Sequence, residues 1–325
     1  MPSRVVPEPI LLDDRTAAAL LPPRPVRGHK GTFGKLLVIA GSVDYAGAAL
    51  LVCTAAGRAG AGLVTLATPE SLQPLFAAKV VEATTLSLPE DDVEEVDPEE
   101  ALARILDHDH DALVVGPGLR PSLSITELIR GLLAPDEDGQ PAPAVLDAEA
   151  LRSLATVDGW ASEVAARCVL TPHVGEFLRL RAADGVDPEK LGDLVFDDGR
   201  RLAAAREAAR EWGQVVVLKG ARTVIADRDG RTAVSPFENP ALASAGTGDV
   251  LAGTIGALLA QGLGTFEAAQ LGVYLHALAG GAVSDRLGDA GLLASDLTAE
   301  LPLARKRLAE LPGAGSRAGG APARS

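Results

Sequence analysis

Six short apolar runs punctuate this chain: KLLVIA (35–40), LVTLA (63–67), ALVVG (112–116), AVLDA (144–148), CVLTP (168–172) and VVVLKG (215–220). None alternates with polar residues. A strand that is apolar on both sides has both faces covered, which is the condition of a parallel sheet between two layers of helices. The stretches between the runs can supply those layers. AGAALLVCTAAGRAG (46–60), SLSITELIRGLL (122–133) and GRRLAAAREAAREWG (199–213) have helix composition, and two of them end on a helix-stopping glycine. RTVIAD (222–227) followed by RDGRTAVS (228–235) signals a hairpin turning at Asp229-Gly230. Beyond residue 247 the pattern is mostly helical. The expected fold class is α/β, a mostly parallel central sheet with helices on both faces.

Such a sheet needs two apolar layers, and 325 residues at 47% hydrophobic suffice for them. No composition break divides the chain, so a single domain is expected over residues 1–312. GAGSRAGGAPARS (313–325) has the composition of a disordered tail. APDEDGQPAP (134–143) reads as a surface insertion, and PEDDVEEVDPEE (89–100) as a solvated loop and helix start. A formal net charge of −14 argues against a nucleic-acid partner and disfavours an anionic membrane surface. Cys53 and Cys168 sit in apolar runs and read as buried free thiols. The opening residues lack an apolar core of signal-peptide length, and no run reaches the ~18 apolar residues of a membrane span. A cytoplasmic location is the expectation.

Two glycine clusters fail as phosphate loops. GRAGAG (57–62) closes a helix instead of opening one, and GHKGTFGK (28–35) precedes a strand and lacks the hydroxyl residue after its lysine. SAGTGDVLAGTIGALLAQG (244–262) is better placed, with two glycines and an aspartate at the head of an apolar helix. Gly246 and Gly248 let the backbone of Ala245, Gly246, Thr247 and Gly248 curl its N–H groups into one anion-sized concavity, to which the helix adds its positive end. Asp249 is either a stabilising first-turn acid or a base that takes a proton from a substrate hydroxyl as a phosphoryl group arrives. The helix dipole is expected to lower its pKa. His173, after Thr171-Pro172, can cap a strand-to-helix turn, and Lys219-Gly220 can be an exposed lysine and turn. His276 reads as a satisfied core residue, and the DHDHD stretch holding His108 and His110 has too few neighbours for a metal site.

The motifs HKGTFGKLLVIAGS (29–42), AGAA (46–49), GLVTLATPE (62–70), VVGPGLR (114–120), VLDAEAL (145–151), LTPHVGEFLRL (170–180), VVLKGARTVIA (216–226), NPALASAGTGDVLAG (239–253) and GVYLHALAG (272–280) stand in one order. In that order the chain resembles the ADP/ATP-dependent NAD(P)H-hydrate dehydratases of the ribokinase-like superfamily. The resemblance implies a ribokinase-like three-layer fold and a hydro-lyase that restores NADH or NADPH from the S epimer of the ring hydrate. ADP or ATP would be the phosphoryl donor, with ADP favoured by the KGART stretch. It implies Asp249 as the catalytic base, and Ala48, Gly118, His173 and Asp249 as contacts to the hydrated dinucleotide. Lys219, Gly220, Ala221, Arg222, Thr223 and Gly248 would contact the adenine nucleotide. Mg²⁺ on the phosphates, a water-mediated role for Glu176 and a homotetramer are implied too. Departures from the family pattern fall at Glu149, Val174 and Glu238. With about 25 residues before the first motif, the stand-alone form without a preceding epimerase domain is expected. A small-molecule kinase of the same superfamily, of the hydroxyethylthiazole kinase type, is the alternative.

Overall fold

The computed structural model describes residues 7–93, 95–135 and 141–311. Residues 136–140 of the expected insertion at 134–143 lie outside them, and so does the whole tail at 313–325.

In chain order the strands are β1 (Ile10–Leu11), β2 (Lys35–Ile39), β3 (Leu63–Pro69), β4 (Thr84–Leu88), β5 (Glu90–Asp92), β6 (Glu95–Val96), β7 (Ala112–Val115), β8 (Ala144–Leu146), β9 (Cys168–Leu170), β10 (Val215–Leu218), β11 (Val224–Ala226) and β12 (Thr232–Val234). Ten of them form one sheet in the order β1-β12-β11-β10-β9-β8-β7-β2-β3-β4. From β10 to β4 every neighbour is parallel. Only β11 runs against its neighbours, because the Asp229-Gly230 turn folds it back between β10 and β12.

The six apolar runs are the six contiguous strands β10-β9-β8-β7-β2-β3, and their alternate residues go to opposite cores. Leu36, Val38, Val114, Val145, Val169 and Val217 join one cluster, with the helices Ala46–Ala59, Thr247–Ala260, Thr265–Leu287 and Ala294–Ala309. Leu37, Ile39, Val115, Leu146, Leu170 and Leu218 join the other, with Leu123–Leu133, Val174–Ala183 and Asp198–Trp212. This is the three-layer arrangement expected from the sequence. Thr247–Ala260 is buried at every residue from Val250 to Ala260, so a helix apolar all round has no solvent face to supply. Both cysteines are buried and free.

Two strands of the ten-stranded sheet escape the pattern reading. β1 is a two-residue edge strand, and the TTLSL sequence of β4 is too polar to register as a buried run. The acidic run at 89–100 does start a helix, capped by the Asp97 carboxylate accepting from Glu99 and Glu100 N–H. Its first half is not a loop, however: β5 and β6 pair antiparallel there, because Leu88 and Val96 are buried and draw the flanking chain into register. Among the described residues, no helix is long and apolar enough to cross a membrane.

Candidate active site

Parallel registry sets the site. Ile39 pairs with Val115, Val115 with Leu146, Leu146 with Leu170 and Leu170 with Val216, so β2, β7, β8 and β9 end level and β10 runs two residues further at the same edge. Whatever follows them projects from one edge, where open α/β sheets bind ligands. Along that edge stand Gly116-Pro117-Gly118, Asp147, Thr171-Pro172-His173 and Lys219-Gly220. The Thr247–Ala260 helix points its N-terminus to the same place.

Two close approaches form this edge. Gly116 has φ 118°, and a Cβ there would lie 2.0 Å from the Asp147 carbonyl oxygen. Gly116→Ala is therefore expected to cost about 3 kcal/mol, through backbone strain and displacement of the Asp147 turn. Thermal unfolding of the variant checks this. Gly246 has φ 86° and begins the helix, with Leu51 and Ala294 against the position a Cβ would take. This left-handed residue turns the chain so that the N–H groups of Ala245, Gly246, Gly248 and Asp249 find no acceptor among the described residues. Thr247 secures the turn by directing its hydroxyl at the Leu242 and Ser244 carbonyls, 2.8 and 2.9 Å away.

Beside this nest lies a buried charge cluster. Lys219 Nζ donates to Asp147 Oδ1 at 2.7 Å and is 3.8 Å from Glu176 Oε2. Thr171 Oγ1 donates to the same Asp147 oxygen at 2.9 Å. A Cβ on Gly248 would be 3.5 Å from Lys219 Nζ and 3.7 Å from Asp147 Oδ2, so the pair sits directly under the nest. Burial disfavours the Lys219 ammonium, but the Asp147, Glu176 and Asp249 carboxylates outweigh it and its pKa lies above the ordinary lysine value. Asp249 moves the opposite way from the sequence expectation. Burial, reinforced by the Asp147 charge and only partly relieved by Lys219, lifts its pKa to about 7. Dehydration and a like charge raise it, where the helix dipole taken by itself would lower it.

A cavity of about 420 Å³ opens from Lys219, Gly220, Ala221 and Thr223 across Gly248 and Thr247 to an apolar end formed by Phe237, Leu242, Leu251, Val273 and Ala277. Of the residues expected to contact a nucleotide, Arg222 alone is not in its wall. Its guanidinium lies 3.3 Å from Asp198, and its backbone has φ 53°. Arg201 holds this turn from beneath. It is 1% exposed and donates to the Leu218 carbonyl at 3.1 Å and to the Ala221 carbonyl.

Ala48 and Gly118 are brought together: a Cβ on Gly118 would be 2.8 Å from that of Ala48. His173 takes up the capping role. Its Nδ1 accepts from Gly175 and Glu176 N–H, at 3.0 and 3.4 Å, while Glu176 Oε2 accepts from His173 N–H at 2.9 Å. The ring is 57% exposed, with Nε2 3.6 Å from Glu176 Oε1. Glu149 stays apart from the Lys219 cluster, beside Arg152 and Ser153, with its pKa raised mainly by burial. Glu238 lines the cavity and is exposed. Val174 is the first residue of the His173-capped helix. His276 is buried as expected, yet its ring also lines the cavity. Sequence reasoning assigned no role to Asp147 or Arg201. The only signal for either is a polar residue next to a continuous apolar run.

A mostly parallel sheet between two helical layers, with an anion nest over its C-terminal edge, is the architecture of ribokinase-like phosphoryl-transfer proteins, and the chain has that fold. A family model for NAD(P)H-hydrate dehydratase matches residues 36–303, and the chain belongs to that family. It is 41% identical over 292 residues to the bifunctional NAD(P)H-hydrate repair enzyme Nnr of Moorella thermoacetica, covering 89% of this chain and 52% of that protein. Against the ADP-dependent (S)-NAD(P)H-hydrate dehydratase of Bacillus subtilis it is 35% identical over 291 residues, covering 89% of this chain and 95% of that one. A crystal structure of the Bacillus subtilis ADP/ATP-dependent NAD(P)H-hydrate dehydratase, co-crystallised with ATP/Mg²⁺, superposes with a TM-score of 0.75 at 32% identity, over 92% of this chain and 98% of that chain. The chain spans about half the length of the bifunctional relatives it matches.

Proposed function

We propose that this chain is an ADP-dependent dehydratase that returns the S epimer of hydrated NADH or NADPH to the reduced dinucleotide. The observation that carries the reading is the Asp249 carboxylate in the first turn of the nest helix, beside a partly buried Lys219–Asp147 pair. Hydroxide is a poor leaving group, and phosphorylation of the ring hydroxyl turns it into a good one. Asp249 takes the hydroxyl proton as the oxygen attacks the terminal phosphorus of the nucleotide. The free Ala245, Gly246 and Gly248 N–H groups and the Lys219 ammonium receive the charge on the transferring phosphoryl group, while the Thr247 N–H stays with the Ser244 carbonyl. AMP leaves if ADP is the donor. The ring nitrogen lone pair then expels phosphate, and loss of a C5 proton restores the double bond.

In this reading Ala48, Gly118 and His173 contact the hydrated ring and its dinucleotide, and Lys219, Gly220, Ala221, Arg222 and Thr223 surround the nucleotide. Mg²⁺ belongs to the proposal. Among the described residues no group of three or more His, Cys, Asp or Glu could enclose a metal. Asp147 and Glu176 offer hard oxygen donors already tied to the protein, which suits an ion carried by phosphate oxygens and water. When bound, it would neutralise phosphate charge. One domain over residues 1–312 and a homotetrameric, cytoplasmic working form complete the reading.

The test is recovery of the near-ultraviolet absorbance of reduced nicotinamide from hydrated NADH, with ADP and ATP in parallel. Signal recovery with stoichiometric AMP and phosphate is expected from ADP. A phosphorylated product that accumulates without dehydration would instead establish a small-molecule kinase.

A further inference from the structure

The Thr247–Ala260 and Thr265–Leu287 helices meet at His276, which is 8% exposed and forms part of the cavity wall. Its Nε2 lies 2.9 Å from the Thr247 carbonyl oxygen. A carbonyl can only accept, so Nε2 carries the ring proton, and in a neutral imidazole the other nitrogen is then an acceptor. Burial keeps the ring neutral: it lowers the His276 pKa to about 4 against the pull of the Thr247 carbonyl, and the Lys219 ammonium adds to the lowering. Nδ1 has no partner among the described residues, and it is not fully enclosed by protein, so it keeps exposed surface where the residue lines the cavity. The neighbouring wall residues Leu251, Val273 and Ala277 have no side-chain donor to give it. An acceptor at the cavity wall that no protein donor reaches is free to take a hydrogen bond from the cavity's occupant.

We propose that His276 is a specificity residue of the nucleotide site: a fixed neutral acceptor that takes a hydrogen bond from the nucleotide while its Nε2–H anchors the nest helix. The donor on the ligand is the exocyclic amine of the base or a ribose hydroxyl, chemically equivalent partners for an imidazole nitrogen. The inference rests on the nucleotide-dependent reading above and adds to it a residue that discriminates among nucleotides. The same ring that orders the Thr247 carbonyl, and with it the start of the phosphate nest, would register whether the cavity is correctly filled.

Two substitutions separate the halves of the ring. His276→Gln retains an N–H long enough to reach the Thr247 carbonyl and takes the acceptor away from the Nδ1 position. His276→Asn supplies an acceptor near the Nδ1 position and is too short to reach Thr247. Dissociation constants are measured by calorimetry for ADP, inosine diphosphate, 2′-deoxy-ADP and 3′-deoxy-ADP. His276→Gln is expected to weaken ADP about tenfold, with its melting temperature within about 3 °C of the parent. In the parent protein the analogue lacking the relevant donor is expected to bind about tenfold more weakly than ADP, a gap that closes in His276→Gln. Inosine diphosphate as that analogue identifies the base amine, and a deoxy analogue the ribose. His276→Asn is expected to keep the discrimination and lose melting temperature. Parent-like binding of ADP and all three analogues by His276→Gln, or a gap that persists in it, overturns the proposal. The readout is binding alone, so a protein that discriminates in this way and still fails to dehydrate its substrate would defeat the dehydratase reading and leave this one standing.

Discussion

Asp249→Asn is expected to lower the dehydration rate by about 10²–10⁴-fold while leaving nucleotide affinity within a few-fold of the parent. The amide keeps the size and place of the carboxylate and cannot accept the hydroxyl proton. The parent rate is expected to fall about tenfold per pH unit below a midpoint set by the Asp249 pKa of about 7, since only the carboxylate acts as base. The same substitution should stabilise the protein, with a definite sign. The folded chain holds the Asp249 proton up to about pH 7, whereas an unperturbed aspartate releases it near the ordinary value of 3.8. Between those limits the native state binds more protons than the unfolded one, so the free energy of unfolding falls as pH rises through the window. The cost is fully present above it. Asp249→Asn removes a group that is paying this cost, so its stability gain should be absent in acid and reach on the order of 2 kcal/mol about a pH unit above the Asp249 midpoint. Denaturant titrations of both proteins at the two ends of the range measure it. Equal rates, or a stability gain that does not depend on pH, would remove Asp249 from the role given to it here.

The Lys219–Asp147 pair gives the second large effect, because its two members act on Asp249 with opposite signs. Asp147 raises the Asp249 pKa and Lys219 lowers it, on top of the dominant contribution of burial. Lys219→Met is expected to move the midpoint of the pH–rate profile upward, and Asp147→Asn to move it downward. Each substitution also breaks a partly buried ion pair whose carboxylate is enclosed. Lys219→Met leaves the Asp147 carboxylate, 3% exposed, without its cation, and a loss of about 3 kcal/mol follows. Asp147→Asn retains one oxygen for the Thr171 hydroxyl and should be the milder change. Midpoints that move together would show that the pair shapes the site without tuning Asp249.

The sequence by itself determined the layers. Continuous apolar runs separated by helical composition admit few arrangements other than a parallel sheet covered on both faces, and Leu36 with Leu37, or Val38 with Ile39, shows why: neighbours on one strand serve two different cores. Gly246 and Asp249 were legible too, because a left-handed turn and a first-turn acid are local features written in adjacent residues. β4 and the β5–β6 pair were not legible, since edge strands have only one covered side and their pattern is weak.

Tertiary structure alone decided the electrostatics of the site. Asp147 and Lys219 are 72 residues apart and meet because β8 and β10 end at the same edge of the sheet, on either side of β9. His276 and Thr247 are 29 apart and meet where two helices cross. A pKa depends on which charges and how much water surround a group, and that is a property of the packed interior. A reader of the sequence sees an acid at the head of a helix and expects the dipole to keep it ionised. Only packing places a second carboxylate beside it, excludes the solvent, and moves its titration to where a base can work.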